Sequence, residues 1–165
     1  MILIRPLRAE DRPTLVEIIR KTGVFTDDEV DVAMELIDIV LTQPGQKDYQ
    51  IYSAEENSKV LGYYCIGPTP MTVGTFDLYW IAVDPSIHNK GVGKQLLRHC
   101  ENLIREQSGR LIIAETSSQE KYYNTRQFYI HNDYSEVARI KDYYKADDDL
   151  VIYGKYVSQS PKVNR

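Results

Sequence analysis

The sequence predicts a mixed α/β (α+β) fold, with a mostly antiparallel central sheet and helices on both faces. Three observations carry this. Apolar periodicity along the chain gives the order β-α-α-β-β-β-α-β-α-β-β. Three strand-like segments in a row precede the third helix, which is a meander and not a chain of βαβ units. A loop holding Gly91 and Gly93 joins the last of these strands to an amphipathic run.

Taken in order, Ile2, Ile4 and Leu7 alternate like a first strand. Asp11 is expected to cap a helix with Pro13 in its first turn and Leu15, Ile18 and Ile19 on one face; Gly23 stops it. Thr26-Asp-Asp-Glu29 has the capping-box pattern, followed by Val30, Ala33, Met34, Ile37, Val40 and Leu41 at helical spacing until Pro44-Gly45. Strands are expected over Tyr49–Ala54, Val60–Ile66 and Thr75–Val83, with Asn57-Ser58-Lys59 and Gly67-Pro-Thr-Pro70 as their connections. Leu96, Leu97, Cys100, Leu103 and Ile104 share a face of the third helix, which Ser108-Gly109 ends. Leu111–Ala114 is a short apolar run, as in a strand covered on both sides. Ser117 and Glu120 open a last helix running to about His131. Tyr134–Tyr144 and Leu150–Val157 close the sheet around Lys145-Ala-Asp-Asp148. One domain is expected over residues 1–157, with 158–165 a polar, flexible tail.

Hydrophobic residues at 42% and charged residues at 27% are ordinary for a globular chain. A net charge of −4 with no basic stretch argues against a nucleic-acid partner. No stretch approaches the roughly 20 apolar residues of a membrane span. The opening Met1-Ile-Leu-Ile-Arg-Pro6 is too soon interrupted for a signal peptide. Cys65 and Cys100 are far apart and lie in apolar patterns, so buried free thiols and a cytoplasmic location are expected. His88, His99 and His131 have no metal-ligand spacing, so no metal is expected; His99 is assigned to the polar side of its helix.

The glycine loop carries the functional signal. Small residues opening a helix present free backbone N–H groups at the positive end of the helix dipole, which suits a pyrophosphate. A dinucleotide fingerprint needs a third glycine, and Gln95 and Leu96 stand near its place. A triphosphate loop needs Gly at position 88 and Ser or Thr at 95, where His and Gln stand.

The wider run Tyr79-Trp-Ile-Ala-Val-Asp-Pro85, then His88-Asn-Lys-Gly-Val-Gly-Lys94, resembles the GNAT superfamily of acyl-CoA-dependent N-acetyltransferases. Ile4-Arg5-Pro6 with Asp11 resembles that family's first strand and helix, and Tyr122-Tyr-Asn-Thr-Arg-Gln-Phe-Tyr129 followed by Tyr134 its last helix and next strand. There are two departures. His88 stands where Gln or Arg is usual, although a neutral His still donates one hydrogen bond. Asp133 stands where Gly is usual, and Asp tolerates the left-handed conformation better than most residues.

The resemblance implies a sheet splayed at the cofactor site, with acetyl-CoA as co-substrate. Ile81, Ala82 and Val83 would pair with the pantetheine arm. His88, Asn89, Lys90, Gly91, Val92, Gly93 and Lys94 would hold the pyrophosphate, with Asn124 also among the cofactor-binding residues. Tyr129 matches the family tyrosine facing the thioester sulfur. A phenol, with pKa near 10, can protonate a leaving thiolate without itself being ionised at neutral pH. Asp77 matches the place of a glutamate base in histone-acetylating members; Glu115 is a second candidate, and a water chain a third possibility. The implied acceptor is a small-molecule or peptide amine, with no nucleic acid, no membrane and a possible homodimer. From Thr22 to Gln46 there is no Lys or Arg, and six acids fall there: either an attractor for a cationic amine or a solvated face. Phe25 could line the acceptor site or staple the second helix. A non-catalytic CoA-binding regulatory module is the alternative to the enzyme.

Overall fold

The computed structural model describes residues 1–87 and 90–158. Its strands are β1 (Leu3–Pro6), β2 (Gln50–Glu56), β3 (Lys59–Pro68), β4 (Thr75–Val83), β5 (Leu111–Ser117), β6 (Ser135–Lys145) and β7 (Asp148–Tyr156). Its helices are α1 (Arg12–Lys21), α2 (Asp27–Thr42), α3 (Val92–Glu106) and α4 (Tyr123–His131), with short 3-10 turns over Ala9–Asp11 and Glu120–Tyr122. The order of elements is the expected one. The strands form a mixed sheet in the order β1-β2-β3-β4-β5-β7-β6. β4 and β5 are parallel, with Thr75, Phe76 and Asp77 opposite Leu111, Ile112 and Ile113. β1/β2, β2/β3, β5/β7 and β6/β7 are antiparallel.

The chain forms two compact units: Met1–Gly67 with Tyr79–Cys100, and Pro68–Leu78 with the chain from Glu101. In the first, α1 and α2 bury one face each on the sheet. Leu15, Ile18, Ile19, Val30, Ala33, Met34 and Ile37 cluster with Ile51, Val60, Tyr63, Cys65 and Ala82. Gly23, at φ +70°, ends α1 in the left-handed conformation. Thr26 Oγ1 accepts from the Glu29 N–H at 3.2 Å and caps α2. Asn57 and Ser58, at φ 51° and 62°, make the tight β2–β3 turn.

Asp11 departs from its expected role. It precedes α1 with Pro13 in the first turn, but its side chain makes no cap to that helix. Instead its carboxylate takes a two-pronged bond from the Arg5 guanidinium, at 2.8 Å each, and bonds from the Arg8 N–H and Ser53 hydroxyl. Arg5 also reaches Glu55. The first strand therefore turns a guanidinium inward, where Ile2 and Ile4 are only half-buried.

In the second unit, Ser108 at φ 62° and the Gly109 N–H bonded to the Ile104 carbonyl stop α3. An added Cβ at Gly109 would meet Ile104 Cγ2 at 2.2 Å, so only glycine fits. β5 continues to Ser117, beyond the apolar run, and pairs along its length with β7. Ser117 lies in that strand, and the last helix proper begins only at Tyr123. Asp133, at φ 68°, makes the turn after α4, with Tyr134 N–H bonded to the Tyr129 carbonyl at 3.0 Å. That is the left-handed position expected of it. Among the described residues, no helix is long and apolar enough to cross a membrane.

Candidate active site

The residues assigned to the cofactor's diphosphate and arm fall in the first unit. β4 ends with Ala82 buried and Ile81 and Val83 half-buried. Gly62 of β3 backs this end: a Cβ there would stand 2.5 Å from the Ala82 carbonyl oxygen and 3.1 Å from Val83 Cα. Asp84 closes the strand. Its N–H donates to the Leu61 carbonyl at 2.8 Å, and its carboxylate accepts from the Ser86 N–H and hydroxyl. Those Ser86 bonds, outweighing burial, hold the Asp84 carboxyl below the usual carboxylate range.

His88 and Asn89 lie outside the described residues. Lys90 forms an ion pair with Glu56 at the end of β2. Gly91 has φ 63°, and its carbonyl accepts from the Gln95 N–H at 3.0 Å, the first bond of α3. The N–H groups of Val92, Gly93 and Lys94 therefore lie in the first turn, where an α-helix offers no internal acceptor. Val92 is buried and continues into the Leu96, Leu97, Cys100 and Ile104 face, which fixes where this helix end points. Backbone donors and helix dipole at such a helix start are suited to an anion.

The residues assigned to proton transfer, and Asn124, fall in the second unit. Asp77 is half-buried on β4, and its Oδ2 accepts from the Thr69 hydroxyl at 2.8 Å. Glu115 is exposed in the middle of β5, opposite Ile152 of β7, because the strand runs on through Thr116 and Ser117. Asn124 is exposed in the first turn of α4. Tyr129 is buried in the last turn of α4, stacked on Tyr153 at 5.7 Å and tilted against Tyr134 at 5.4 Å.

His99 is not a solvent-facing helix residue. Its Nδ1 is 2.8 Å from the hydroxyl of fully buried Tyr64, and its ring lies 4.9 Å from that of Tyr52. Burial pushes the Tyr64 hydroxyl pKa far up. Phe25 packs edge-on against Trp80 at 4.9 Å. Both cysteines are buried free thiols. Among the described residues no cluster of His, Cys, Asp or Glu could hold a metal ion. The fold-critical ties at Gly62, His99 and Arg5–Asp11 were missed by sequence reasoning. Gly62 alone offered a signal, as a lone glycine inside a strand pattern.

A mixed sheet with a left-handed glycine at the start of α3 is the frame in which the chain can be compared with known proteins. The model of the acetyltransferase (GNAT) domain matches residues 47–136. A GNAT-family protein from Desulfovibrio desulfuricans is 40% identical, with 96% of this chain and 100% of that one covered and a TM-score of 0.91. The chain belongs to the GNAT family and is an acetyltransferase of that type. The same fold occurs in aminoglycoside 6'-N-acetyltransferase from Enterococcus faecium (15% identity, 97% and 99% covered, TM-score 0.74). It also occurs in the PaiA N-acetyltransferase of Thermoplasma acidophilum, solved with coenzyme A (20% identity, 92% and 98% covered, TM-score 0.69). No curated protein matches the chain.

Proposed function

We propose that the protein moves an acetyl group from acetyl-CoA to a primary amine by direct attack in a ternary complex. The observation that carries this is the start of α3: Gly91 in the left-handed conformation, with the amides of Val92, Gly93 and Lys94 after it. Such a helix start suits a diphosphate, and the similarly folded PaiA protein solved with coenzyme A supports reading it as that of CoA. Ile81, Ala82 and Val83 supply backbone groups to the pantetheine arm, and Asn124 is a further cofactor-binding residue.

The chemistry has a simple balance. The neutral amine attacks the thioester carbonyl, the C–N bond forms, and the C–S bond breaks. One proton leaves the amine nitrogen and one reaches the thiolate of CoA. Tyr129 gives that second proton. Asp77 takes the first: it is half-buried and the Thr69 hydroxyl holds it in one orientation, whereas Glu115 is exposed on β5. The acceptor we infer is a cationic small molecule or peptide amine, since α2 exposes Asp27, Asp28, Asp31 and Glu35. Asp38 of the same acidic run is already tied to Arg12 at 2.6 Å.

The test is release of free thiol from acetyl-CoA with a panel of amines, wild type against Tyr129→Phe. Loss of the acid is expected to lower kcat by roughly 100-fold, with KM for acetyl-CoA little changed. A fully active Tyr129→Phe enzyme removes Tyr129 as the acid. Binding of CoA without turnover on any amine argues for the regulatory module instead.

A further inference from the structure

Within the second unit, the turn that follows Tyr129 is tied to two charged side chains that the transfer chemistry does not use. Glu101, on the last part of α3, is only 6% exposed. Its Oε1 accepts from the Tyr134 hydroxyl and from Lys155 Nζ, each at 3.1 Å. Lys155 Nζ also donates to the Asn132 carbonyl at 3.1 Å and stands 5.5 Å from the centre of the Tyr134 ring. The Tyr134 N–H in turn bonds the Tyr129 carbonyl at 3.0 Å. The Tyr129 ring is held between Tyr134 and Tyr153, two residues before Lys155 on β7.

Burying a carboxylate such as Glu101 beside a half-buried ammonium is costly, and an apolar pair of the same volume holds a turn as well or better. What an apolar pair cannot do is fix a carbonyl and a hydroxyl in direction. Those are the two groups fixed here. Asn132 precedes Asp133, a non-glycine residue in the left-handed conformation. Tyr134 is the residue against which Tyr129 rests.

We propose that Glu101 and Lys155 form a positioning pair for Tyr129, clamping the Asn132–Tyr134 turn so that the Tyr129 phenol keeps one orientation. The inference rests on the reading of Tyr129 as the general acid. Its test is a double-mutant cycle in kcat and KM. Glu101→Leu and Lys155→Met are expected to lower kcat about tenfold at unchanged KM for acetyl-CoA, as misplacement of a reacting group does. Glu101→Gln, which keeps an acceptor for the Tyr134 hydroxyl, should be milder. In the Tyr129→Phe background the same substitutions should cost nothing further. If the larger changes prevent folding, Tyr134→Phe removes one hydroxyl only and is expected to lower kcat about threefold in the wild-type background alone.

Equal losses in both backgrounds, or a loss confined to KM, would mean the pair serves the fold and not the acid. Wild-type kcat in folded Glu101 and Lys155 variants, beside an impaired Tyr129→Phe, overturns the pair but leaves the acid standing. Full activity of Tyr129→Phe itself overturns the acid, and the pair's role with it.

Discussion

Asp11 and Tyr63 show opposite solutions to burying polar groups. Asp11 is 2% exposed. Burial alone would push its carboxyl up, but the Arg5 guanidinium and the Arg8 N–H more than reverse this, so its pKa lies below the ordinary value. A depressed carboxyl stabilises the fold above the unfolded pKa of about 3.9 and loses that stabilisation as pH falls through the folded value. Asp11→Asn is expected to cost roughly 3 kcal/mol in urea unfolding at neutral pH, because it leaves Arg5 short of charge. The variant should also show a flatter fall in stability below pH 4. Tyr63 is the reverse case: its hydroxyl is fully buried without a hydrogen-bond partner among the described residues. Tyr63→Phe should therefore leave stability unchanged or raise it by about 1 kcal/mol, and a clear loss on unfolding would reveal a partner for that hydroxyl. Neither feature was legible from sequence. Arg5 meets Glu55 fifty residues on, and Asp11 meets Ser53 forty-two residues on, so no local pattern records the pairing. The capping signal at Asp11 was real in position, yet its side chain went to a better charge partner.

Elements were legible where the signal is local. The Thr26 cap, the stop at Gly23, the turn at Asn57-Ser58 and β4 over Thr75–Val83 all stand where the residues put them. β5 was read short because Glu115, Thr116 and Ser117 are polar, and only pairing with Val151 and its neighbours on β7 keeps them in a strand. His99 was placed on the wrong face because Tyr64, its partner, comes from another strand. Two glycines in the first unit separate conformational from steric need. At Gly91 a Cβ would meet nothing within 4 Å, so Gly91→Ala costs only the left-handed backbone, about 1–2 kcal/mol. Relaxing that φ turns the first amides of α3 away, so KM for acetyl-CoA is expected to rise about tenfold, the loss of one charge-assisted hydrogen bond. At Gly62 a Cβ would stand 2.5 Å from the Ala82 carbonyl, so the backbone of β4 must shift. Gly62→Ala is expected to cost about 1–3 kcal/mol of stability by overpacking, measured by thermal or urea unfolding. A Gly62→Ala protein as stable as wild type would show that β3 and β4 yield at no cost.

At the scale of the molecule, the order of elements and the family were legible because both are carried by short-range patterns: periodicity, caps, and a strand–glycine–helix run. The identity of the amine was not, since an acidic helix face reads the same whether it serves a ligand or water. Cofactor binding offers a whole-molecule readout that does not depend on knowing that amine. A ligand that binds only the folded state at 100 times its dissociation constant adds about 2.7 kcal/mol. In a chain of 165 residues each kcal/mol moves Tm by about 2–4 °C, so saturating acetyl-CoA should raise Tm by about 5–10 °C. On the proposed role of the α3 start, the diphosphate is expected to be the main source of that shift. S-acetylpantetheine, which keeps the thioester and arm but lacks the diphosphate, should therefore move Tm far less at equal concentration. High salt should shrink the acetyl-CoA shift by screening the charge at the helix end. Equal shifts from the two compounds would place the binding energy in the arm contacts of β4 and remove the glycine loop from its assigned role.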